Sequence, residues 1–428
     1  MLSINKLRKL SFLVYGLGST GKSVVNFFKK NNIKKFEVWD DMNKDLYKKN
    51  RAQNLNKAVE IVDFIILSPG ISLKDIKGKN NLDKFEEKVI TDIDLIYLMK
   101  NFLKSIVVTG TNGKSTTSKI ISHVLRKNGY KTLLGGNIGR PVLSLKSKKN
   151  DFLIIEASSF QLSHSKYICP DYAILLNISN DHLDWHGNKK NYKNSKFKIF
   201  KNQKKNQFSL IGNNLKTEFK KRNFNGKLII PRLKNYKKLK VKIQNSYLKL
   251  DMNDENMSYV FELVKLFGLG EKNFLNSLRS FKGLPHRYEI FLKKKNCIFI
   301  NDSKATSFQA TKGALRNSNN IFWILGGLPK KQDKINLKGL KSNIVKIYLI
   351  GKNIKYFKKQ IGNKVDYCLS KNLKKSLIQI MKDVKIFKKK NNTILLSPSS
   401  ASYDQFLNFE KRGEEFKRLC KIYARKYV

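Results

Sequence analysis

The sequence predicts an α/β protein built from three successive modules, each with its own parallel sheet. Short apolar strands alternate with helical stretches along most of the 428 residues, which is the pattern of βαβ units. The pattern restarts near residue 100 and again near residue 285. A glycine-rich turn follows the leading strand of the first two modules, as in nucleotide-binding α/β domains.

The predicted elements follow this alternation. In the first module the strands lie at 10–15, 36–39 and 62–67, with a helix at 21–30. In the second module the strands lie at 106–108, 131–134, 152–155 and 172–176, with a helix at 114–127. In the third module the strands lie at 297–301, 321–325, 344–350 and 393–396. The lysine-rich stretch 201–251 is weakly patterned and carries no prediction.

The composition favours a cytoplasmic protein that binds anions. No run approaches the ~20 apolar residues that span a bilayer. The four cysteines are scattered without a CxxC pair, as expected for reduced thiols. The net charge is +55, but the lysines are spread along the whole chain. We therefore expect neither a specific nucleic-acid partner nor a membrane, while the positive field attracts nucleotides.

The first glycine-rich loop, GLGSTGKS at 16–23, fits two phosphate-binding patterns at once. Its glycines fit GxGxxG, and Asp40 ends the next strand, where a Rossmann acid would hold a ribose. The same loop also fits GxxxxGKS, and either pattern aims backbone N–H groups at an anion. Taken alone, the loop leaves NAD binding, ATP binding and a plain tight turn open.

The second loop, TGTNGKST at 109–116, keeps Gly-Lys-Ser before a helix but has Val108 in place of the first P-loop glycine. In such a loop Lys114 reaches the β- and γ-phosphates, and Ser115 ligates Mg²⁺. Glu156 and His182 follow later strands, where a carboxylate and an imidazole can hold metal beside the loop. This pair favours ATP at the second loop, although a solvated charge for Glu156 and a capping role for His182 stay open.

These residues resemble the Mur ligase family, and the resemblance covers nearly the whole chain. It also rests on GGNIG at 135–139, GLPHR at 283–287 and NDSKAT at 301–306. A further segment, LSPSSASYDQF at 396–406, continues into FEKRG at 409–413. The segments 301–306 and 396–413 are similar to the branch of the family that adds D-glutamate to UDP-N-acetylmuramoyl-L-alanine.

The resemblance implies an ATP-dependent amide ligase of cytoplasmic peptidoglycan precursor synthesis, working as a monomer with two Mg²⁺ ions. It implies a Rossmann-like domain for the UDP substrate at 1–99 and a P-loop-type ATPase domain at 100–284. A Rossmann-like domain at 285–428 would bind D-glutamate and close over ATP. ATP would phosphorylate the alanyl carboxylate, and the amine of D-glutamate would attack the acyl phosphate.

The resemblance also implies site residues. For the UDP substrate they are Ser19, Thr20, Asp40, Ser68, Pro69, Gly70, Asn137, Ser158, Gln161 and His182. For ATP they are Gly110, Thr111, Asn112, Gly113, Lys114, Ser115, Thr116, Asn256, Arg287, Asp302 and Lys304. For D-glutamate they are Thr306, Lys330, Ser402 and Phe409. The catalytic residues would be Lys114, Glu156, His182 and Lys196, and the metal ligands Ser115, Glu156, His182 and Lys196.

Lys196 matches a lysine that the family carbamylates, which turns a cation into an anion able to hold metal. The alternative is a solvated surface lysine, as expected in so basic a chain. Met252 replaces the family's adenine-contact histidine. Lys330 and Lys331 are adjacent, so either lysine fits the glutamate contact that is assigned to Lys330. The alternative activities are another Mur-type or folylpolyglutamate-type ligase, an NAD-dependent oxidoreductase and a basic nucleic-acid-binding protein.

Overall fold

The computed structural model describes residues 2–72, 82–330, 333–387 and 391–427, without the side chains of 82, 83, 426 and 427. The chain divides into two compact units. The first comprises Met1–Gln244 and Glu255–Phe281, and the second comprises Asn245–Asp254 and Lys282–Val428. The first unit contains two sheets and the second contains one. The division into three domains at 99 and 284 stays a prediction.

All three sheets are built mainly from parallel strands, as predicted. The first contains β1 Phe12–Tyr15, β2 Phe36–Trp39, β3 Phe64–Leu67 and β4 Val89–Ile90, in the order β2-β1-β3-β4. The second contains β5 Lys104–Thr109, β6 Thr132–Gly136, β7 Phe152–Glu156, β8 Tyr172–Leu175, β9 Phe208–Ile211 and β10 Lys227–Ile229. Its order is β10-β9-β8-β5-β7-β6.

The third sheet contains β11 Glu289–Lys294, β12 Cys297–Asn301, β13 Ile321–Gly326, β14 Ile344–Ile350, β15 Tyr367–Lys371 and β16 Asn392–Leu396. Its order is β11-β12-β16-β13-β14-β15. β11 pairs antiparallel with β12, whereas the other neighbours are parallel. The carboxyl ends of β12, β16 and β13 therefore lie side by side.

The helices of the first unit are α1 Ile4–Leu7, α2 Ser19–Lys30, α3 Leu55–Ile61, α4 Asp92–Met99, α5 Lys114–Lys127, α6 Ser159–His164, α7 Leu183–His186, α8 Lys189–Phe197, α9 Lys216–Lys221 and α10 Leu233–Lys240. They continue with α11 Asp254–Leu266 and α12 Glu271–Arg279. The second unit contains α13 Phe308–Arg316, α14 Ile354–Ile361, α15 Leu373–Phe387 and α16 Phe409–Tyr427. Short 3₁₀ turns lie at Lys48–Asn50, Leu82–Lys88, Val142–Ser144, Lys198–Phe200, Asn213–Leu215, Asp251–Asn253 and Lys341–Asn343.

Apolar side chains cover both faces of the sheets, which is how parallel sheets are stabilised. In β13, Phe322 and Ile324 enter one apolar cluster, whereas Trp323 and Leu325 enter the other. In the first unit the turn Val142–Ser144 packs on α2 and α4, so the first two sheets share one core. Within the described part of the chain, no helix is long and apolar enough to cross a membrane.

Candidate active site

The first glycine-rich loop makes a tight turn between β1 and α2. Gly16 has φ +92°, and a Cβ on Gly21 would lie 1.9 Å from the Gly16 carbonyl oxygen. Ser68 Oγ donates to the same oxygen at 2.7 Å. α2 begins after Gly18, which offers no side-chain cap. The first turn of α2 therefore presents backbone N–H groups, the usual donors to a phosphate.

Asp40 organises the loops around this turn. Its Oδ2 accepts from the Leu17 N–H at 2.6 Å, and its Oδ1 accepts from the N–H groups of Met42 and Asn43 at 2.9 and 2.7 Å. Burial raises the pKa of Asp40, but the hydrogen bonds from Leu17, Asn43 and Met42 together lower it below its ordinary value. The carboxylate is therefore ionised and holds two loops together.

A cavity of about 560 Å³ opens beside the first loop, within the first compact unit. Its walls come from the loops after β1, β2 and β3 and from the carboxyl ends of β6 and β7. Of the ten residues predicted for the UDP substrate, the structure brings nine to this cavity: Ser19, Thr20, Asp40, Ser68, Pro69, Gly70, Asn137, Ser158 and Gln161.

The tenth residue, His182, lies one side chain away from the cavity. Its ring contacts Phe160, which lines the cavity, at a centroid distance of 4.7 Å. His182 has φ +52° at the start of α7, where it makes no side-chain cap hydrogen bond. Its Nε2 is 3.4 Å from Asp181 Oδ2, and 41% of its side chain is exposed. The capping role considered from the sequence is therefore wrong.

Ser158 and Gln161 also have a structural role at the start of α6. They form a capping box, in which Ser158 Oγ accepts from the Gln161 N–H at 3.2 Å. The Ser158 N–H in turn donates to Gln161 Oε1 at 3.1 Å. This pairing fixes both side chains at the cavity wall.

The second loop joins β5 to α5 and is held by neighbouring side chains. Lys114 Nζ donates to the carbonyl oxygens of Gly110 and Thr111 at 2.8 and 2.9 Å. Gly113 has φ +84°, and a Cβ there would lie 2.1 Å from Asn256 Oδ1. Asn256 therefore packs directly against this loop, and its contact with ATP stays a prediction.

The remaining residues of the second loop lie at the start of α5. Ser115 and Thr116 are buried in its first turn. The Asn112 N–H donates to Asn177 Oδ1 at 2.9 Å. Because the glycine at the N-cap of α5 has no side chain to cap the helix, the first-turn N–H groups are suited to bind an anion, as in the first loop.

Lys196 is enclosed beneath the second loop and is only 1% exposed. Its Nζ donates to the Gly110 carbonyl oxygen at 2.8 Å and lies 4.6 Å from the centroid of the Tyr192 ring. Burial and the nearby Lys114 charge hold the pKa of Lys196 well below its usual value, although Asp181 opposes them. The surface-lysine alternative is therefore wrong, because the side chain is buried.

Glu156 has one oxygen that suits a cation. The side chain is 1% exposed at the end of β7, and its Oε1 accepts from Asn137 Nδ2 at 2.8 Å. Among the described residues its Oε2 has no hydrogen-bond partner. A buried carboxylate oxygen without a donor is costly unless a cation neutralises it.

The described residues contain no group of three or more His, Cys, Asp and Glu placed to hold a metal ion. A metal at Glu156 therefore requires other donors. The hydroxyl of Ser115 and a carbamate on Lys196 are of the required chemical type, so the donor set fits Mg²⁺.

In the second compact unit the predicted residues lie on loops at the carboxyl edge of the third sheet. The Leu328 N–H donates to the Ala401 oxygen at 2.9 Å, and the Ala401 N–H donates back at 3.0 Å. This pairing joins the loops that carry Lys330 and Ser402. Thr306 lies on the loop after β12. Lys331 lies outside the described residues.

Asp302 and Lys304 lie on the same edge. Asp302 accepts from Ser397 Oγ at 2.7 Å and from the Tyr288 N–H at 3.1 Å. Burial raises the pKa of Asp302 to about 7, while these bonds and the charge of Arg287 act in the opposite direction. Lys304 Nζ lies 3.7 Å from the centroid of the Phe409 ring. A residue predicted for ATP thus contacts one predicted for D-glutamate.

Sequence reasoning gave no role to two residues that hold the second loop. The Tyr192 hydroxyl lies 2.9 Å from Thr111 Oγ1. Asn177 bonds Asn112 on one side, and its Nδ2 donates to Glu255 Oε2 at 2.9 Å on the other. A signal for Asn177 was present, because it follows β8, the neighbour of β5 in the sheet.

The family model for the Mur ligase middle domain matches residues 108–281. The structure is similar to the MurF ligase of Thermotoga maritima in complex with ADP, with a TM-score of 0.61, 14% identity and coverage of 100% of this chain and 98% of that chain. It is also similar to the UDP-N-acetylmuramate-alanine ligase MurC of Thermotoga maritima, with a TM-score of 0.55, 16% identity and coverage of 96% and 99%. These structures share the fold of a Mur ligase.

Curated relatives match over nearly the whole length. The chain is 34% identical to the UDP-N-acetylmuramoylalanine–D-glutamate ligase of Rickettsia felis, with 98% of each chain covered. It is also 34% identical to the ligase of the same name from Francisella tularensis, with 97% of this chain and 96% of that protein covered. The chain belongs to the Mur ligase family, in the group of UDP-N-acetylmuramoylalanine–D-glutamate ligases.

Proposed function

We propose that the protein is the ATP-dependent ligase that adds D-glutamate to UDP-N-acetylmuramoyl-L-alanine in the cytoplasm. The observation that carries this proposal is the difference between the two phosphate loops. The first lines a cavity large enough for a nucleotide-linked substrate, whereas the second lies beside a buried lysine and a buried carboxylate. The first compact unit would thus hold the UDP substrate and ATP at separate places.

The second loop would bind the phosphates of ATP. Lys114 bonds two carbonyl oxygens of its own loop and would exchange them for β- and γ-phosphate oxygens. Ser115, Glu156, His182 and a carbamylated Lys196 would hold Mg²⁺. When bound, the metal would neutralise charge on the transferred phosphoryl group. The low pKa of Lys196 favours the neutral amine that reacts with CO₂.

The cavity would take the uridine nucleotide, with its diphosphate at the start of α2. A carboxylate is a poor acyl donor, because its leaving group would be oxide. Phosphorylation of the alanyl carboxylate supplies a phosphate leaving group, and the neutral amine of D-glutamate then forms the amide bond. His182 and Phe160 would lie near the acceptor carboxylate, since they adjoin the cavity.

The second compact unit would bind D-glutamate. A dicarboxylate is held by a cation together with hydroxyl or backbone donors. Lys330 would supply the cation, and Thr306 and Ser402 would supply hydroxyls from loops at one sheet edge. We also propose that the protein is a monomer and that its domains comprise 1–99, 100–284 and 285–428.

The proposal is tested by phosphate release from ATP and Mg²⁺ with UDP-N-acetylmuramoyl-L-alanine and a panel of amino acids. The panel contains D- and L-glutamate, D-aspartate, D-glutamine and D-alanine. We expect phosphate and ligated product in equal amounts with D-glutamate alone. Equal rates with L-glutamate, or a rate that does not depend on the UDP substrate, would refute the proposal.

A further inference from the structure

Arg412 is a buried cation with no carboxylate at hydrogen-bond distance among the described residues. It lies in the first turn of α16 and is 1% exposed. Its Nε donates to Ser303 Oγ at 3.0 Å, and its Nη2 donates to the carbonyl oxygens of Ser303 and Ser400 at 2.8 and 3.0 Å. Among the described residues, Nη1 has no hydrogen-bond partner.

Burying such a group lowers the stability of the folded protein. Burial of an ion costs several kcal/mol, and only an opposite charge or a full set of hydrogen bonds offsets it. Here every acceptor is neutral, and burial lowers the pKa of Arg412 to about 10 although the charge of Asp404 opposes this. The guanidinium is still protonated at neutral pH. A cost that the contacts leave partly uncompensated points to a function.

The position of Arg412 indicates what that function is. Ser303 follows β12, Ser400 follows β16, and Gly327 follows β13. A Cβ on Gly327 would lie 3.3 Å from Arg412 Nη1 and 2.2 Å from the Ala401 oxygen. One guanidinium thus bonds two of these loops and lies beside the third, at the carboxyl edge of three neighbouring strands. This edge is where α/β sheets bind ligands.

The same three loops carry the residues proposed for D-glutamate. Thr306 follows Ser303, Lys330 follows Gly327, and Ser402 follows Ser400 along the chain. The start of α16 is joined to them as well, because Ser303 Oγ donates to the Phe409 carbonyl oxygen at 2.8 Å. Arg412 therefore bonds or borders the segments that carry all four proposed contacts.

We propose that Arg412 is a positioning residue for the amino-acid substrate. Its planar fork sets the spacing of the three loops, and its charge adds to the positive field that a dicarboxylate meets there. This inference rests on the proposed function. A lysine would keep the charge but not the fork, because its ammonium cannot reach three acceptors in one plane.

The test compares Arg412→Lys and Arg412→Met with the matched controls Arg418→Lys and Arg418→Met. Arg418 lies on the same helix, pairs with Glu415 at 2.8 Å and has a side chain that is 60% exposed. For Arg412→Lys we expect the KM for D-glutamate to rise at least about tenfold, with the KM values for ATP and the UDP substrate within about twofold of native. Arg412→Met should show a larger rise, and the controls none.

A merely structural role predicts a different result. The variants would then have a lower Tm and equal changes in all three KM values, or no change in any, and either outcome overturns the inference. If Arg412→Met does not fold, Arg412→Lys decides. Guanidinium ions added to Arg412→Ala should lower the KM of this variant for D-glutamate and leave its other KM values unchanged. If the variant is folded and guanidinium ions do not lower this KM, the proposed role of the planar guanidinium group is contradicted.

The two proposals fail in distinguishable ways. If the native enzyme uses a different amino acid, the proposed function is wrong. The positioning role is then tested with that amino acid, by comparing the change in its KM with the changes in the KM values for ATP and the UDP substrate. If the native enzyme uses D-glutamate, but the Arg412 variants do not raise the KM for D-glutamate more than the other two KM values, only the positioning role is wrong.

Discussion

Lys114 and Lys196 donate to one acceptor, the carbonyl oxygen of Gly110, at 2.8 Å each. Two ammonium groups this close repel each other, and burial makes the repulsion stronger. The inner one, Lys196, relieves it most readily as a neutral amine, which is the form that binds CO₂. A carbamate would then place an anion beside Lys114.

The carbamate predicts chemical rescue. We expect Lys196→Ala to lose at least about 100-fold in rate, since a buried anion and its metal contact are removed. Acetate should restore part of that rate and leave the native enzyme unchanged, and Lys196→Glu should recover less because its stem is shorter. Steady-state rates with and without acetate measure this.

The matched control for this rescue is Lys193→Ala. Lys193 lies on the same helix but pairs with Glu218 at 2.8 Å. It should keep native activity. Near-native activity of Lys196→Ala would remove this lysine from the active site, and an inactive variant that no carboxylate rescues would leave the carbamate unsupported.

Replacing the lysine of each glycine-rich loop should have a different kinetic effect. Lys114→Ala should lower ATP-dependent phosphate release by at least about 100-fold, because a phosphate-binding charge is removed. Lys22 is exposed on α2, so Lys22→Ala should mainly raise the KM for the UDP substrate. Initial rates at varied ATP and varied UDP substrate separate the two effects. The reverse pattern would exchange the assignments of the loops.

At the level of elements, Asp40 joins the end of β2 to the turn after β1. Its folded pKa is below its unfolded value, so its stabilising contribution is complete above the unfolded value and disappears as the pH falls through the folded one. We expect Asp40→Asn to lower the free energy of unfolding at neutral pH by on the order of 1–3 kcal/mol.

The difference between Asp40→Asn and native protein should shrink below about pH 4, where the native carboxylate begins to protonate. Urea unfolding at several pH values measures it. Asp45→Asn is the control, because that side chain is 89% exposed. A difference that stays constant down to pH 2 would show that the charge of Asp40 does not stabilise the turn.

Most of the predicted strands are present because their apolar runs are buried on both faces. β12, β13 and β16 are of this kind. β11 and β15 are edge strands with mixed exposure, and β11 contains Glu289, Lys293 and Lys294, so neither has a strong apolar signal. β10 is an edge strand of the same kind, whereas β9 is interior and mostly buried and was missed because it is short and lies in the lysine-rich stretch.

The candidate site was predictable where a motif marks it. Nine of the residues that line the cavity were named in this way, and so were those of the second loop. The burial of Lys196 and Arg412 was not, because lysine and arginine are mostly exposed and only the packing of distant segments shows otherwise. Arg412 lies within the segment FEKRG at 409–413, but that segment gave it no role.

At the level of the whole molecule, the net charge of +55 is spread over both compact units. We expect DNA to bind without sequence preference and to be released steeply as salt rises, because such binding depends on released counterions. A gel-shift titration with two unrelated duplexes between about 50 and 200 mM salt tests this. Tight, sequence-dependent binding at the higher salt would contradict it.

The central claim is that ATP activates the carboxylate of the UDP substrate for attack by D-glutamate. Transfer of ¹⁸O tests it most directly, with UDP-N-acetylmuramoyl-L-alanine labelled in the alanyl carboxylate. If an acyl phosphate forms, one labelled oxygen passes to phosphorus, and the released phosphate carries one ¹⁸O when the amide forms. We predict this transfer in step with product formation. Unlabelled phosphate beside ligated product would contradict the account.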